Sequence, residues 1–224
     1  MGIINPNRLF KDDQVGGLGG KAMVKEKEIQ ALKNIFESYD FVMTTTELYQ
    51  ENISKNRIKK LVSEGIIEKI KRGYYHWNNG FTGGDMTILK KLFPDVVFCM
   101  ETAAFYYGYS DRTPIQWSFA IHRDVSKTRL EIKYPFIKPY RMESSLLNLG
   151  VRTYAVDGFD VKMFDKERTI CDFLRHVNHV DKETFNKVIQ AYVNDPQKNI
   201  PNLIKYAEIL RVQKKVDIWI GVWL

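Results

Sequence analysis

The stretch from Thr44 to Trp77 constrains the fold more than any other part of the chain. Thr44 and Glu47 have the spacing of a capping box, in which a hydroxyl and a carboxylate satisfy the first free N–H groups of a helix. That helix is expected to run through Leu48 and Tyr49 and to end near Glu51. A turn of Glu51, Asn52 and Ile53 follows. Ser54 is a good N-cap for a second helix. Ile58, Leu61 and Val62 then fall at i, i+3 and i+4 and predict one apolar stripe. Lys55, Asn56, Arg57, Lys59 and Lys60 lie away from that stripe. Gly65 stands where a helix stops in a left-handed conformation.

From Ile66 to Trp77 the period changes to alternation, with a turn expected near Arg72 and Gly73. Helix, turn, helix and basic hairpin is the order of a winged helix-turn-helix. In such a fold the second helix enters the DNA major groove with its N-terminal residues forward. Those residues here are Lys55, Asn56 and Arg57. An arginine can fork onto a guanine edge and an asparagine onto an adenine edge, whereas lysine mainly neutralises phosphate. Phosphate contacts are expected from Lys59, Lys60, Lys69, Lys71 and Arg72, with Tyr74 beside them on the hairpin. Between Ser54 and His76 seven cations face two anions, Glu64 and Glu68. Much of the chain's formal charge of +7 is therefore concentrated where a phosphate backbone would lie. The plain alternative is a solvated helix face on a small structural module.

Flanking elements complete this picture. Ile29, Leu32, Ile35 and Phe36 give a helical stripe across Val24–Tyr39 and supply a third helix. Phe41, Val42 and Met43 read as a short strand that pairs with the wing. Residues 1–22 carry five of the fourteen glycines and no apolar periodicity. They read as a leader or tag, or a flexible tail, ahead of a start at Met23. Asn78 to Gly84, with Gly80, Gly83 and Gly84, marks a break between a first domain, residues 23–80, and a second, residues 85–224.

The second domain reads as α+β. Helices are expected at Met86–Phe93 and Glu101–Tyr107. Strands follow at Gln116–His122, Phe136–Met142, Val151–Val156 and Phe159–Phe164, the last two joined by an Asp157-Gly158 hairpin turn. Asp165 and Asp181 can cap the next two helices, and a further helix spans Pro201–Val212. The apolar end, Val216–Leu224, is too short for a bilayer span of roughly 20 residues. It reads as a buried terminal segment or a contact for a partner. With no longer apolar run, no membrane association is expected. Cys99 and Cys171 read as buried free thiols in a reducing cytoplasm.

No catalytic constellation emerges, and neither an enzymatic role, a metal nor a cofactor is expected. His176 and His179 have metal-compatible spacing without a third ligand nearby, so a surface pair at a helix end is the simpler reading. The cluster Tyr106, Tyr107 and Tyr109 suits buried aromatic packing better than base stacking. Arg168 and Asp172, four apart, read as an intrahelical ion pair. The alternative for the second half of the chain is an enzyme or a protein-interaction module, targeted by the winged part.

The chain resembles the AbiEi antitoxin family of bacterial type IV abortive-infection systems. Glu28–Trp77 is similar to the family's winged helix-turn-helix, through Leu61–Ile67 and Arg72–Tyr75. Glu101–Ala104 with the following tyrosines, and the stretch Val161–Asp172 with its Glu167, Arg168, Thr169, Ile170, Cys171 and Asp172, are similar to segments of the second domain. The resemblance implies a repressor of its own operon that binds inverted repeats in promoter DNA. It further implies that the second domain counters an AbiEii-like nucleotidyltransferase toxin, in phage defence, without a stable complex. It assigns no residue to that toxin-countering role.

Overall fold

The computed structural model describes residues 18–78, 84–156 and 158–221, with side chains from residue 26 onward and that of Phe159 excepted. Residues 1–17, most of the expected glycine break, Asp157 of the expected hairpin turn and the last three residues lie outside the described residues. The chain divides into two compact units that meet between Gly83 and Gly84. Helices combine with two small sheets, an α+β architecture.

In the first unit, α1 (Leu18–Ser38) begins five residues ahead of Met23. It leads to β1 (Val42–Thr44), α2 (Thr45–Gln50), α3 (Lys55–Ser63), β2 (Ile67–Lys71) and β3 (Tyr74–Trp77). The three strands form an antiparallel sheet in the order β1-β3-β2. The expected capping box opens α2: Thr44 Oγ1 accepts from Glu47 N at 3.2 Å, and Thr44 N donates to Glu47 Oε2 at 2.7 Å. The turn into α3 places Asn52 at φ +59°, a left-handed conformation that asparagine tolerates. Ile53 then tucks inward at 2% exposure. Gly65, at φ +68°, ends the helical segment.

Leu32 and Phe36 of α1, Met43, Leu48, Ile53, Ile58, Leu61 and Ile67 close the core around Trp77, whose ring lies 5.5 Å from that of Phe36. One expectation fails here. Val62 does not join the stripe of Ile58 and Leu61; it is 37% exposed. The nine-residue α3 buries only a narrow strip against α1 and the sheet, and position 62 falls outside it.

The second unit contains a five-stranded mixed sheet in the order β6-β5-β4-β8-β7. Its strands are β4 (Val97–Phe98), β5 (Trp117–His122), β6 (Ile137–Met142), β7 (Val151–Val156) and β8 (Phe159–Phe164). Pairs β5–β6 and β4–β8 are parallel, and β4–β5 and β7–β8 are antiparallel. Before and within the sheet come α4 (Asp85–Leu92), α5 (Met100–Tyr106) and the short α6 (Ser144–Leu147). After it come α7 (Lys166–Arg175), α8 (Lys182–Val193), α9 (Ile200–Ile209) and α10 (Gln213–Trp219). The caps expected for α7 and α8 are formed: Asp165 Oδ1 accepts from Arg168 N, and Asp181 Oδ1 from Thr184 N, both at 2.9 Å.

Helix α7 is the hub of this unit, with α5, α8, α9 and α10 around it. From Glu167 to Leu174 every residue is buried, charged ones included. Arg168 is fully enclosed. Its Nε donates to Asp172 at 3.1 Å, its Nη1 to the carbonyls of Leu146 and Leu149, and its guanidinium covers the ring of Phe164 at 4.2 Å. The expected Arg168–Asp172 pair therefore exists in the interior, and the two carbonyl bonds of Arg168 tie the segment before β7 to α7. Cys99 and Cys171 are buried free thiols. Among the described residues no helix is long and apolar enough to cross a membrane.

Candidate nucleic-acid interface

The side of α3 that its apolar strip leaves outward carries three exposed lysines, Lys55, Lys59 and Lys60. Ser54 Oγ accepts from Arg57 N at 3.3 Å and fixes where the helix begins. Lys55 and Asn56, the first two helical residues, are both exposed. Lys59 and Lys60 are exposed one turn later. Among the described residues, Lys55, Lys59 and Lys60 form no ion pair, and the Asn56 amide has no hydrogen-bond partner. These groups are thus open to a ligand without first breaking a contact.

Arg57 differs. Its Nη2 reaches Glu28 Oε2 on α1 at 3.2 Å, its side chain is 26% exposed, and its Nε is buried without a hydrogen-bond partner. The guanidinium expected to reach forward to a base edge is turned back onto α1. Sequence reasoning missed Glu28. It lies 29 residues away on a separate element, and no spacing rule links the two positions.

The hairpin of β2 and β3 turns at Gly73, at φ +83°, with a register shift between Lys69 and Lys71. The carbonyl of Gly73 accepts from Thr45 N at 2.8 Å, so the hairpin tip is fastened to the start of α2. Lys69 and Arg72 are exposed and form no ion pair among the described residues; Lys71 and Tyr74 are half-buried. Glu68, one of the two anions in the stretch, is engaged by His76 Nε2 at 3.3 Å. The stretch Ser54–His76 thus sets seven cations against Glu64 and Glu68, the local electrostatic excess that a phosphate backbone requires.

The other candidate groups lie in the second unit. His176 and His179 do not form a surface pair. His176 is half-buried with its ring edge-on to Tyr140 at 5.3 Å, whereas His179 is exposed. Among the described residues no group of three His, Cys, Asp or Glu side chains is arranged to hold a metal ion. The tyrosine cluster serves packing and hydrogen bonding. Tyr109 is buried and donates to Asp195 Oδ2 at 2.5 Å, and Tyr107 donates to the carbonyl of Phe164 at 2.5 Å. Burial pushes both hydroxyls well above the ordinary phenol range.

Neither a scan of protein-family models nor a search of curated proteins finds a match to the chain. Among solved structures, the crystal structure of the RV2827C protein from Mycobacterium tuberculosis is similar. Its TM-score is 0.52 at 12% identity, over 83% of this chain and 75% of that one. At such low identity the likeness concerns the fold alone, and it supports a mixed α+β chain.

Proposed function

We propose that the first unit is a winged helix-turn-helix that binds duplex DNA, and that the chain is a transcriptional autorepressor. The observation that carries this reading is the open placement of Lys55 and Asn56 at the start of a capped second helix, with Lys69 and Arg72 exposed on the hairpin that follows. Helix α3 would enter the major groove N-terminus first, with Asn56 toward a base edge. Lys55, Lys59, Lys60, Lys69, Lys71 and Arg72 would meet phosphates.

The resemblance to the AbiEi antitoxins extends the proposal. The operator would be an inverted repeat in the chain's own promoter, and the second unit would counter a nucleotidyltransferase-like toxin without forming a stable complex. The decisive experiment is fluorescence anisotropy of the full chain with duplexes from its own upstream region, against a scrambled duplex of equal length. Saturable binding that prefers the upstream sequence and weakens with added salt is expected. Equal affinity for both duplexes would remove the repressor reading. Co-expression with the neighbouring operon product then tests the antitoxin part, with rescue of growth and no co-purification as the expected pair of results.

A further inference from the structure

A cavity of about 450 Å³ opens in the second unit between β6, the turn after β5 and the last turn of α7. Arg123, Arg141 and Arg175 line it, together with Tyr140 and His176. Two carboxylates are also present, and each is already neutralised. Glu143 Oε1 accepts from Arg123 Nη1 at 2.6 Å, and Asp172 Oδ2 accepts from the enclosed Arg168 at 3.1 Å. Arg141 and Arg175 form no ion pair among the described residues, although the charge of Arg175 also acts on Asp172, the partner of Arg168. Arg141 donates its Nη1 to the carbonyls of Arg123 and Val125, at 2.8 and 2.5 Å. Those bonds hold the guanidinium still without cancelling its charge. Arg175 makes no hydrogen bond or ion pair among the described residues.

An arginine in the last turn of a helix often does no more than offset the negative end of the helix dipole. Here another residue already does so. Lys215 Nζ donates to the carbonyl of Leu174 at 2.8 Å and reaches that of Arg175 at 3.5 Å. With those carbonyls served, the C-terminal end of α7 repels an incoming anion less, and the Arg175 side chain is free for another partner.

We infer that this cavity binds a phosphate monoester of nucleotide size. Guanidinium forks match the tetrahedral phosphate oxygens, and two forks outside any ion pair suit a dianion better than a single carboxylate. The volume lies within the usual range for small-molecule sites, roughly 300–1,000 Å³. Tyr140, Pro139 and Met142 add apolar surface for the organic part.

The test follows the imidazole signals of the full chain by NMR during titration with inorganic phosphate, adenosine monophosphate and adenosine, at matched ionic strength. Expected is a saturable shift of the His176 signal with the two phosphate-bearing probes and none with adenosine, while His76 in the first unit stays fixed. Arg175→Gln, at an exposed position, should weaken the response about tenfold, the loss expected for a charge-assisted hydrogen bond. Arg141→Gln should weaken it similarly, and an unchanged far-ultraviolet spectrum shows that each variant is folded. The inference is overturned if millimolar phosphate and adenosine monophosphate leave His176 unmoved, if adenosine acts equally well, or if both folded variants respond like the parent.

Discussion

Arg57 on α3 and Glu28 on α1 form an ion pair of 3.2 Å that holds a base-reading candidate away from the outward side of its own helix. The pair is partly solvated, so its net stabilisation is small, about 0.2–1 kcal/mol. A DNA contact worth about 1–3 kcal/mol could displace it. Glu28→Gln is therefore expected to fold normally and to tighten the proposed binding to DNA. Part of that gain would come simply from deleting a negative charge. A double-mutant cycle with Arg57→Ala separates the two causes. If the gain disappears in the Arg57→Ala background, Glu28 acts by holding Arg57 back. An equal gain in both backgrounds means that it acts through its charge alone.

Lys69 and Arg72 are exposed and form no ion pair among the described residues. Each change to alanine should leave thermal stability within about 0.5 kcal/mol of the parent. Each should weaken DNA binding about equally for operator and scrambled duplexes, and should lower the slope of log affinity against log salt by about one. Asn56→Ala should behave differently, losing preference between sequences while the salt slope stays the same. Binding curves at several salt concentrations distinguish these outcomes. If Asn56→Ala and Lys69→Ala prove indistinguishable, the assignment of α3 to the groove is wrong.

The enclosed Arg168 makes the second unit sensitive at positions that look unremarkable. Removing its side chain leaves Asp172 buried with an uncompensated charge and two carbonyls without a donor. Arg168→Ala should cost about 3–5 kcal/mol, measured by denaturant unfolding. Gly150 matters for a related reason. Its φ is +75°, and a Cβ there would lie 2.8 Å from Cβ of Arg168 and 3.2 Å from Oδ1 of Asp165. Gly150→Ala combines backbone strain with that clash and should cost about 1–3 kcal/mol. An effect of Gly150→Ala below about 0.5 kcal/mol would mean that the segment yields easily and does not lock α7.

Local signals made the first unit legible. Thr44 with Glu47, Ser54 and Gly65 each satisfy or end a helix through neighbours three or four residues away, so their spacing in the sequence carries the structure. Asp165 and Asp181 were legible for the same reason. What escaped depended on contacts distant in sequence. Glu28 reaches Arg57 only because α1 and α3 fold together. Strand β4 has two residues, too few to show alternation, yet it stands at the centre of the sheet. Arg168 and Asp172 have the spacing of a surface pair, and nothing in that spacing tells that α7 is wrapped on several sides. The cavity beside His176 draws on β6, α7 and the turn after β5, so no single stretch announces it.

His176 gives the second unit a pH dependence whose direction can be worked out. Burial holds its imidazole below the ordinary value of 6.5, and the cations of Arg175, His179 and Lys138 act in the same sense, opposed by Glu101. The Tyr140 ring packed on it stays uncharged, because burial pushes that hydroxyl up to about 12. The folded chain therefore takes up a proton at His176 only at a lower pH than the unfolded chain does. As pH falls through 6.5 the unfolded state binds the extra proton, and stability drops until the folded-state value is passed. His176→Gln removes this contribution. Calorimetric unfolding of parent and variant between about pH 7.5 and 5.5 should show the parent losing more stability on acidification, the difference growing below 6.5. Parallel curves would mean that the imidazole is as well solvated in the fold as out of it. A bound phosphate monoester should shrink the difference, because an anion beside the ring favours its protonated form.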